Sequence, residues 1–203
     1  MDAVNGTSGI TTSNDNVTLT TGGNLAVNQA MDLASGAVSG GGTLVLDSDG
    51  TITQLAGGSV QAKSLELIGV GNIDLQPSAG NDVDTVAGVS SAGFIAYTDA
   101  NDVTVGTVNA SSGLSAVDPT GYDVFIKGTS VTLAKGLFGS PTTSPITITT
   151  RAGGTVTQTA GDNTDRIIGD RIALLGPGSF VLTEAQNDVN SIGLVNGVEP
   201  LGT

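Results

Sequence analysis

Aspartate and glutamate side chains are the only groups in this chain that offer familiar catalytic chemistry. The 203 residues include no histidine and no cysteine, which excludes triads and zinc sites built on imidazole or thiol groups. Paired carboxylates remain, because two of them about 5–10 Å apart can hydrolyse a glycosidic bond. Carboxylate and amide oxygens can also ligate calcium. The candidate pairs are Asp47 with Asp49, Asp82 with Asp84, and Asp99 with Asp102.

We interpret these acidic pairs as residues of turns and outer strand faces. Asp82 and Asp84 are two apart and would point to one face of a strand. Segments 47–50 (DSDG) and 99–103 (DANDV) have the composition of turns, and the tandem calcium-binding nonapeptide is absent. No basic cluster accompanies any pair, and the six aromatic residues are scattered: Phe94, Tyr97, Tyr122, Phe125, Phe138 and Phe180. We therefore predict that the chain is not an enzyme and holds no cofactor and no metal ion.

The charge balance limits the possible partners. Nineteen acidic and six basic residues give a formal net charge of −13, which repels nucleic acid and anionic lipid headgroups. No window of about 18 apolar residues is present, so we expect no membrane insertion. The first ten residues also lack the pattern of a signal peptide.

The sequence favours an all-β fold. Only 3% of the residues are aromatic and 31 are glycines, and short runs with period-two alternation follow one another about ten residues apart. Segment 28–42 lacks a clear strand, and its glycines argue against a helix. The spacing alone allows a sandwich, a barrel or a solenoid. The predicted strands are 16–21, 42–49, 51–54, 64–69, 72–76, 81–88, 93–100, 102–108, 123–128, 130–136, 145–150, 155–159, 171–176 and 179–185.

An internal repeat decides among these architectures. GTITQLAG (50–57) and GTVTQTAG (154–161) agree at six of eight positions, and both are followed by a Leu/Ile-rich strand and then by Asn-Asp-Val. Self-similarity between 50–89 and 154–195 indicates a repeat architecture, and with this strand content a parallel β-helix. At about 20–30 residues a coil, we expect roughly 7–10 coils and a rod of about 35–50 Å. We interpret the repeat as one kind of coil wall that is built twice.

Two details of the repeat concern amide side chains. Alternation places Ile52 on one face of its strand and Thr53 on the other, so Gln54 falls on the Ile side or at a corner. The same holds for Gln158. If a coil has about 20 residues, Asn81 stacks on the Asn of a third Asn-Asp-Val (101–103), and Asp82 stacks on Asp102. If a coil has about 30 residues instead, these residues lie on different faces.

The order of these phrases resembles the degenerate repeats of filamentous-hemagglutinin-like exoproteins, large bacterial surface proteins of which many use two-partner secretion. The matching phrases within 50–108 are Ile-Thr-Gln, a Leu-rich strand, Asn-x-Val-x-Thr-Val-Ala, Thr-Asp-Ala and Val-Gly-Thr-Val. The resemblance implies a right-handed parallel β-helix, an extracellular or cell-surface location and a role as an adhesin shaft. The motifs of the secretion domain are not recognisable. We therefore expect 1–203 to be one β-helix segment taken from a longer exoprotein.

The function expected from these observations is mechanical and adhesive. A stiff rod with a Thr/Ser/Asn-rich exterior can present binding surfaces to host-cell or matrix glycans, and other copies of the chain are possible end-to-end partners. The alternative is a β-helix that binds or degrades polysaccharides.

Overall fold

The computed structural model describes residues 9–34, 41–78, 80–118, 123–142, 145–151, 153–159 and 163–195. Within these ranges the secondary structure consists of β-strands, without helices. Accordingly, the described part of the chain holds no helix long and apolar enough to cross a membrane.

Parallel strands build three faces, which the chain visits in the fixed order A, B, C. Face A contains β1 (Ile10–Thr11), β4 (Met31–Asp32), the first parts of β7 (Val60–Gly69) and β9 (Asp82–Ser90), β11 (Val103–Val105), β16 (Val131–Leu133), β19 (Thr155–Gln158) and β21 (Ser179–Val181). Face B contains β2 (Val17–Thr21), β5 (Thr43–Ser48), the second parts of β7 and β9, β14 (Leu114–Ala116), β17 (Leu137–Phe138) and the first parts of β20 (Ile167–Leu175) and β22 (Asp188–Val195). Face C contains β3 (Leu25–Val27), β6 (Ile52–Gln54), β8 (Ile73–Leu75), β10 (Ile95–Thr98), β15 (Val124–Gly128), β18 (Pro145–Thr150) and the second parts of β20 and β22.

Each strand of these faces, except those of the last described turn, pairs with the strand that occupies the same face one turn later. The length of a turn varies along the chain: the shortest turn runs from Thr85 to its partner Thr104, and the longest runs from Leu137 to its partner Ile167. The result is a β-solenoid of about seven turns, which confirms the predicted parallel architecture at the lower end of the expected coil number. Seven turns at about 4.8 Å each give a rod roughly 34 Å long.

The core is a set of inward-facing aliphatic rows. Branched aliphatic side chains suit it, because identical shapes stack well on a pleated surface. Among the described residues, Tyr97 is the largest fully buried side chain. One row on face C contains one residue from each of its eight strands, which seven turn-to-turn steps connect: Leu25, Ile52, Ile73, Ile95, Val124, Ile146, Ile172 and Ile192.

At the corners between faces, the backbones of successive turns approach each other closely. A Cβ atom on Gly154 would lie 1.6 Å from the carbonyl oxygen of Thr129, and one on Gly58 would lie 2.2 Å from that of Val27. Only glycine fits at such positions, which explains part of the high glycine content.

The predicted strands all overlap observed ones, but several short strands and the eight-residue β22 escaped prediction. Within segment 28–42 the structure has β4, whereas residues 35–40 lie outside the described ranges. The predicted strand 102–108 divides into β11 and β12 (Thr107–Val108), because β12 leaves the solenoid and forms an antiparallel hairpin with β13 (Ser111–Ser112). Two-residue and three-residue strands carry too little alternation to be recognised.

The two copies of the repeat lie on different faces, which corrects the interpretation that one wall is built twice. The strand of the first phrase, β6, is on face C, whereas that of the second, β19, is on face A. The strands that follow are shifted in the same way: SLELIG (64–69) lies on face B and RIALLG (171–176) on face C. The second copy is therefore advanced by one face.

Candidate functional site

A reciprocal amide pair joins the two recurring phrases of the first repeat copy. Gln54 Nε2 donates to Asn81 Oδ1 at 2.7 Å, and Asn81 Nδ2 donates back to Gln54 Oε1 at 3.0 Å. Both side chains are buried, in agreement with the expected inward direction of Gln54. We call this pair the first clamp.

Asn81 also connects three successive turns of the solenoid. Its Oδ1 accepts a hydrogen bond from the backbone N–H of Val60 at 3.0 Å, one turn earlier. Its Nδ2 lies 2.9 Å from the carbonyl oxygen of Leu75 in the same turn and 3.2 Å from that of Thr98 in the next. At the corner, these backbone groups do not bond to a neighbouring strand, and the side chain of Asn81 hydrogen-bonds to them instead.

The second repeat copy builds the same arrangement one face further on. Gln158 Nε2 and Asn187 Oδ1 are 2.9 Å apart, as are Asn187 Nδ2 and Gln158 Oε1. The backbone N–H of Ile167 donates to Asn187 Oδ1 at 2.8 Å, as Val60 does in the first clamp. The second clamp shows that the repeated sequence encodes a corner together with its hydrogen bonds. Copies of this corner can lie between different pairs of faces.

Sequence reasoning found all four clamp residues without connecting them. Gln54 and Asn81 are 27 residues apart, and Gln158 and Asn187 are 29 apart. The recurrence of Gln and Asn in both copies was the available signal. Their contact depends on the length of one turn, which the sequence left open.

A buried carboxylate occupies the corner that follows β10. Tyr97 donates its hydroxyl to Asp99 Oδ2 at 2.6 Å, and the backbone N–H of Val83 donates to the same oxygen at 3.0 Å. The N–H of Asn101 donates to Oδ1 at 2.8 Å. Burial raises the pKa of Asp99 to about 6 although these hydrogen bonds oppose the shift, and burial together with Asp99 raises the pKa of Tyr97 well above its usual value.

The other predicted acidic residues have structural contacts or lie at the surface. Asp82 accepts a hydrogen bond from Asn101 Nδ2 at 3.2 Å, and Asp102 accepts one from the N–H of Ser130 at 2.9 Å. Thr104 lies opposite Thr85, so the register places Asp82 next to Asn101 and leaves Asn81 inside the corner. Neither predicted stack, Asn81 on Asn101 or Asp82 on Asp102, is therefore formed.

Three of the six acidic residues in the candidate pairs are still to be placed. Asp47 and Asp84 are half-buried on β5 and β9, and Asp49 is exposed at a corner. Among the described residues, no group of three or more acidic side chains has the arrangement of a metal site.

Glu66 holds the hairpin of β12 and β13 against the solenoid. The neighbouring Leu65 and Leu67 point into the core, so Glu66 points outward, yet it is buried beneath the hairpin. Glu66 Oε2 accepts a hydrogen bond from Asn109 Nδ2 at 2.7 Å, and Oε1 accepts one from Ser111 Oγ at 2.7 Å and one from the Ser111 N–H at 3.2 Å. Asn109, at the tip, has a φ of 49°, which asparagine tolerates better than most residues.

We expect Glu66→Ala to release the hairpin from the rod without unfolding the rest. Three donors would lose their acceptor, so local stability should fall by about 1–3 kcal/mol. Hydrogen exchange at residues 107–112 should accelerate by about 5–150-fold, the factor that corresponds to this loss. Glu66→Gln, which retains one acceptor oxygen, should show a smaller effect, and equal exchange in all three proteins would contradict the role of Glu66.

A row of hydroxyl groups lines the outside of the solenoid. Successive turns place its members opposite one another at about 4.8 Å spacing. All of them are partly exposed. The row contains Thr43, Ser64, Thr85, Thr104, Thr132 and Thr157.

The fold and these contacts define a β-solenoid repeat protein. No family model, no curated protein and no solved structure matches the chain.

Proposed function

We propose that this chain is a structural and adhesive shaft segment of a secreted bacterial surface protein. The observation that supports the shaft role is one register row on the outside of face B. The row extends from Thr20 to Asp188 without interruption and passes through Asp47, Ile68, Val89, Ser115, Phe138 and Ile168. Continuous pairing of this kind makes each turn depend on its neighbours and resists bending.

The adhesive part of the proposal rests on the outer surface. The hydroxyl row offers donors and acceptors at regular intervals, and the net charge of −13 disfavours anionic ligands. Neutral glycans of a host cell or an extracellular matrix fit both properties. The resemblance to hemagglutinin-like exoproteins supports the same extracellular role.

The test is attachment of protein-coated beads to surfaces that carry neutral glycans. Wild-type beads should attach at least several-fold more often than uncoated beads. Thr104→Lys and Thr132→Lys should reduce attachment, because each places a long charged side chain on the hydroxyl row. Thr53→Lys changes an exposed threonine of face C outside the row and serves as the matched control.

Three outcomes would contradict parts of this proposal. Attachment no better than that of uncoated beads would remove the adhesive role. Equal loss in all three variants would remove the assignment to the hydroxyl row. New reducing ends on the glycans would support a polysaccharide-degrading protein instead.

A further inference from the structure

An exposed apolar strip follows the outside of face B in the middle turns of the rod. Val70, Val89 and Val117 are 47%, 39% and 51% exposed. Turns of the solenoid lie on both sides of the strip, so it is a lateral surface. Apolar side chains grouped in this way are typical of a binding surface, whereas single scattered ones are not. The other members of the strip come from the outer register row of face B: Ile68, Ser115, Phe138 and Ile168.

The charges near the strip disfavour an anionic ligand. Asp47 occupies the outer row at one end of the strip and Asp188 at the other, and no member of the row between them is charged. The net charge of −13 adds to the repulsion of anions. An uncharged ligand is therefore expected.

The strip has the dimensions of a single chain. Ile68 and Ile168 are four turns apart, which gives a length of about 19 Å. Its two outer positions on one strand, such as Ile68 and Val70, are about 7 Å apart, so the strip covers roughly 200 Å². A stable protein interface buries about 800 Å² on each partner. A globular partner, a second copy included, would need far more contact than the strip supplies.

The sheet beneath the strip offers no backbone pairing to a peptide. The strands of face B from β7 to β17 each pair with a neighbour on both sides. Extended peptides bind where the edge of a sheet is free, and one that lay flat on face B would leave its own N–H and C=O groups unpaired. A sugar chain needs no such ladder, because its rings have apolar faces and its hydroxyl groups project sideways from the rings.

Polar groups flank the strip where the hydroxyl groups of a sugar chain would lie. On one side, the hairpin of β12 and β13 contacts β7 and β9 and carries the exposed hydroxyl groups of Thr107 and Ser112. On the same side, the guanidinium carbon of Arg166 lies 6.0 Å from the ring centre of Phe138. On the other side, the exposed Ser91 follows Val89 on the outer surface. An apolar floor with a few polar groups at its margin is the usual composition of a small-ligand site.

We propose that the apolar strip binds a straight, uncharged, β-linked glycan that lies along the rod axis, with one sugar ring on each of five turns. The chain must be straight, because the row from Ile68 to Ile168 follows the axis and a coiled chain would leave it after a few rings. This inference rests on the proposed adhesive function, which assigns neutral glycans as ligands. It places their apolar contact on a surface separate from the hydroxyl row.

Calorimetric titration with soluble β-1,4-linked glucose oligomers of two to six rings tests the proposal. Affinity should rise with length up to five rings and not beyond, and α-1,4-linked oligomers of equal length should bind more weakly because they curve. Val89→Asp and Val117→Asp should each weaken binding of the five-ring oligomer about tenfold or more, since a charged carboxylate resists desolvation against an apolar ring face. Circular dichroism identical to that of wild type shows that both variants fold.

Two matched variants serve as controls. Leu55→Asp changes a side chain of similar exposure, 59%, at the corner after β6, and it should bind as wild type. Thr132→Lys alters the hydroxyl row and should leave the affinity for the oligomers unchanged.

Failure of this inference can be distinguished from failure of the proposed function. Absence of oligomer binding by wild type, or equal binding by Val89→Asp, would overturn the assignment to the strip, while bead attachment that depends on the hydroxyl row would still support the adhesive role. Equal affinity for α-linked and β-linked oligomers would overturn the straight geometry. Wild-type dimers that Val89→Asp converts to monomers would overturn the proposal as well, because a second copy would then cover the strip.

Discussion

Replacing Asn81 by alanine is expected to lower the free energy of unfolding by about 3–4 kcal/mol, because several buried polar groups lose their partner at once. The substitution leaves Gln54 and the backbone N–H of Val60 unpaired in a buried corner, and it also deprives the carbonyl groups of Leu75 and Thr98 of a donor. Each buried polar group without a partner costs about 1–3 kcal/mol. Urea-induced unfolding, followed by circular dichroism, measures the change.

The chain supplies a matched control for this prediction in its third Asn-Asp-Val sequence. Asn101 is followed by the same two residues as Asn81, but it is exposed, and among the described residues its side chain makes one hydrogen bond, to Asp82. Asn101→Ala should therefore cost less than about 0.5 kcal/mol. Equal effects of the two substitutions would show that the clamp does not stabilise the solenoid.

The second large effect is a loss of stability between pH 4 and pH 7 that originates at Asp99. Burial raises the pKa of this carboxyl from 3.8 to about 6 in the folded protein. In that interval the unfolded chain releases the proton while the folded chain retains it, so the free energy of unfolding falls as pH rises. The difference between the two values corresponds to about 3 kcal/mol, fully lost above about pH 6. Burial also raises the pKa of Asp123, which adds to the effect with the same sign.

Asp99→Asn isolates the contribution of this carboxyl, since asparagine does not ionise. The variant should be less stable at pH 4 than wild type, because its amide nitrogen accepts no hydrogen bond, whereas both oxygens of the protonated carboxyl group can still accept one. Its stability should change less with pH than that of wild type, as measured by urea unfolding at pH 4, 5, 6 and 7. The net charge of −13 contributes a background of the same sign, which the two proteins share almost equally. Asp102→Asn, at an exposed position, is the control, and identical pH profiles for Asp99→Asn and wild type would refute the prediction.

Period-two alternation and the internal repeat were sufficient to predict the parallel solenoid. Alternation depends on nearest neighbours in sequence, so strands such as β5 and β18 were recognised within one or two residues. The right hand of the helix stays a prediction from the resemblance. The faces on which the repeat copies lie could not be predicted, because the length of a turn differs from one part of the chain to another.

The candidate site was less accessible to sequence reasoning. Asp99 was noticed as half of an acidic pair, yet its importance comes from Tyr97 and from the N–H of Val83 in the preceding turn. Glu66 attracted no attention, since a glutamate between two leucines is typical of an exposed strand position. Its burial results from a hairpin that is inserted much later in the chain, with Ser111 lying 45 residues beyond Glu66. To predict contacts between residues so far apart in sequence, the alignment of successive turns must be known. Composition and spacing do not determine that alignment.

Because the second repeat copy is shifted by one face, the direction in which a surface points around the rod axis can change. Since one phrase can serve more than one face, a strand with its corner is an interchangeable unit of about a third of a turn. Loss or gain of one such unit would leave the rod axis and most of the length unchanged. It would rotate every surface beyond that point by about 120° around the axis. The direction in which a distal surface points can thus change in evolution through a single short deletion, without any change in the surface itself.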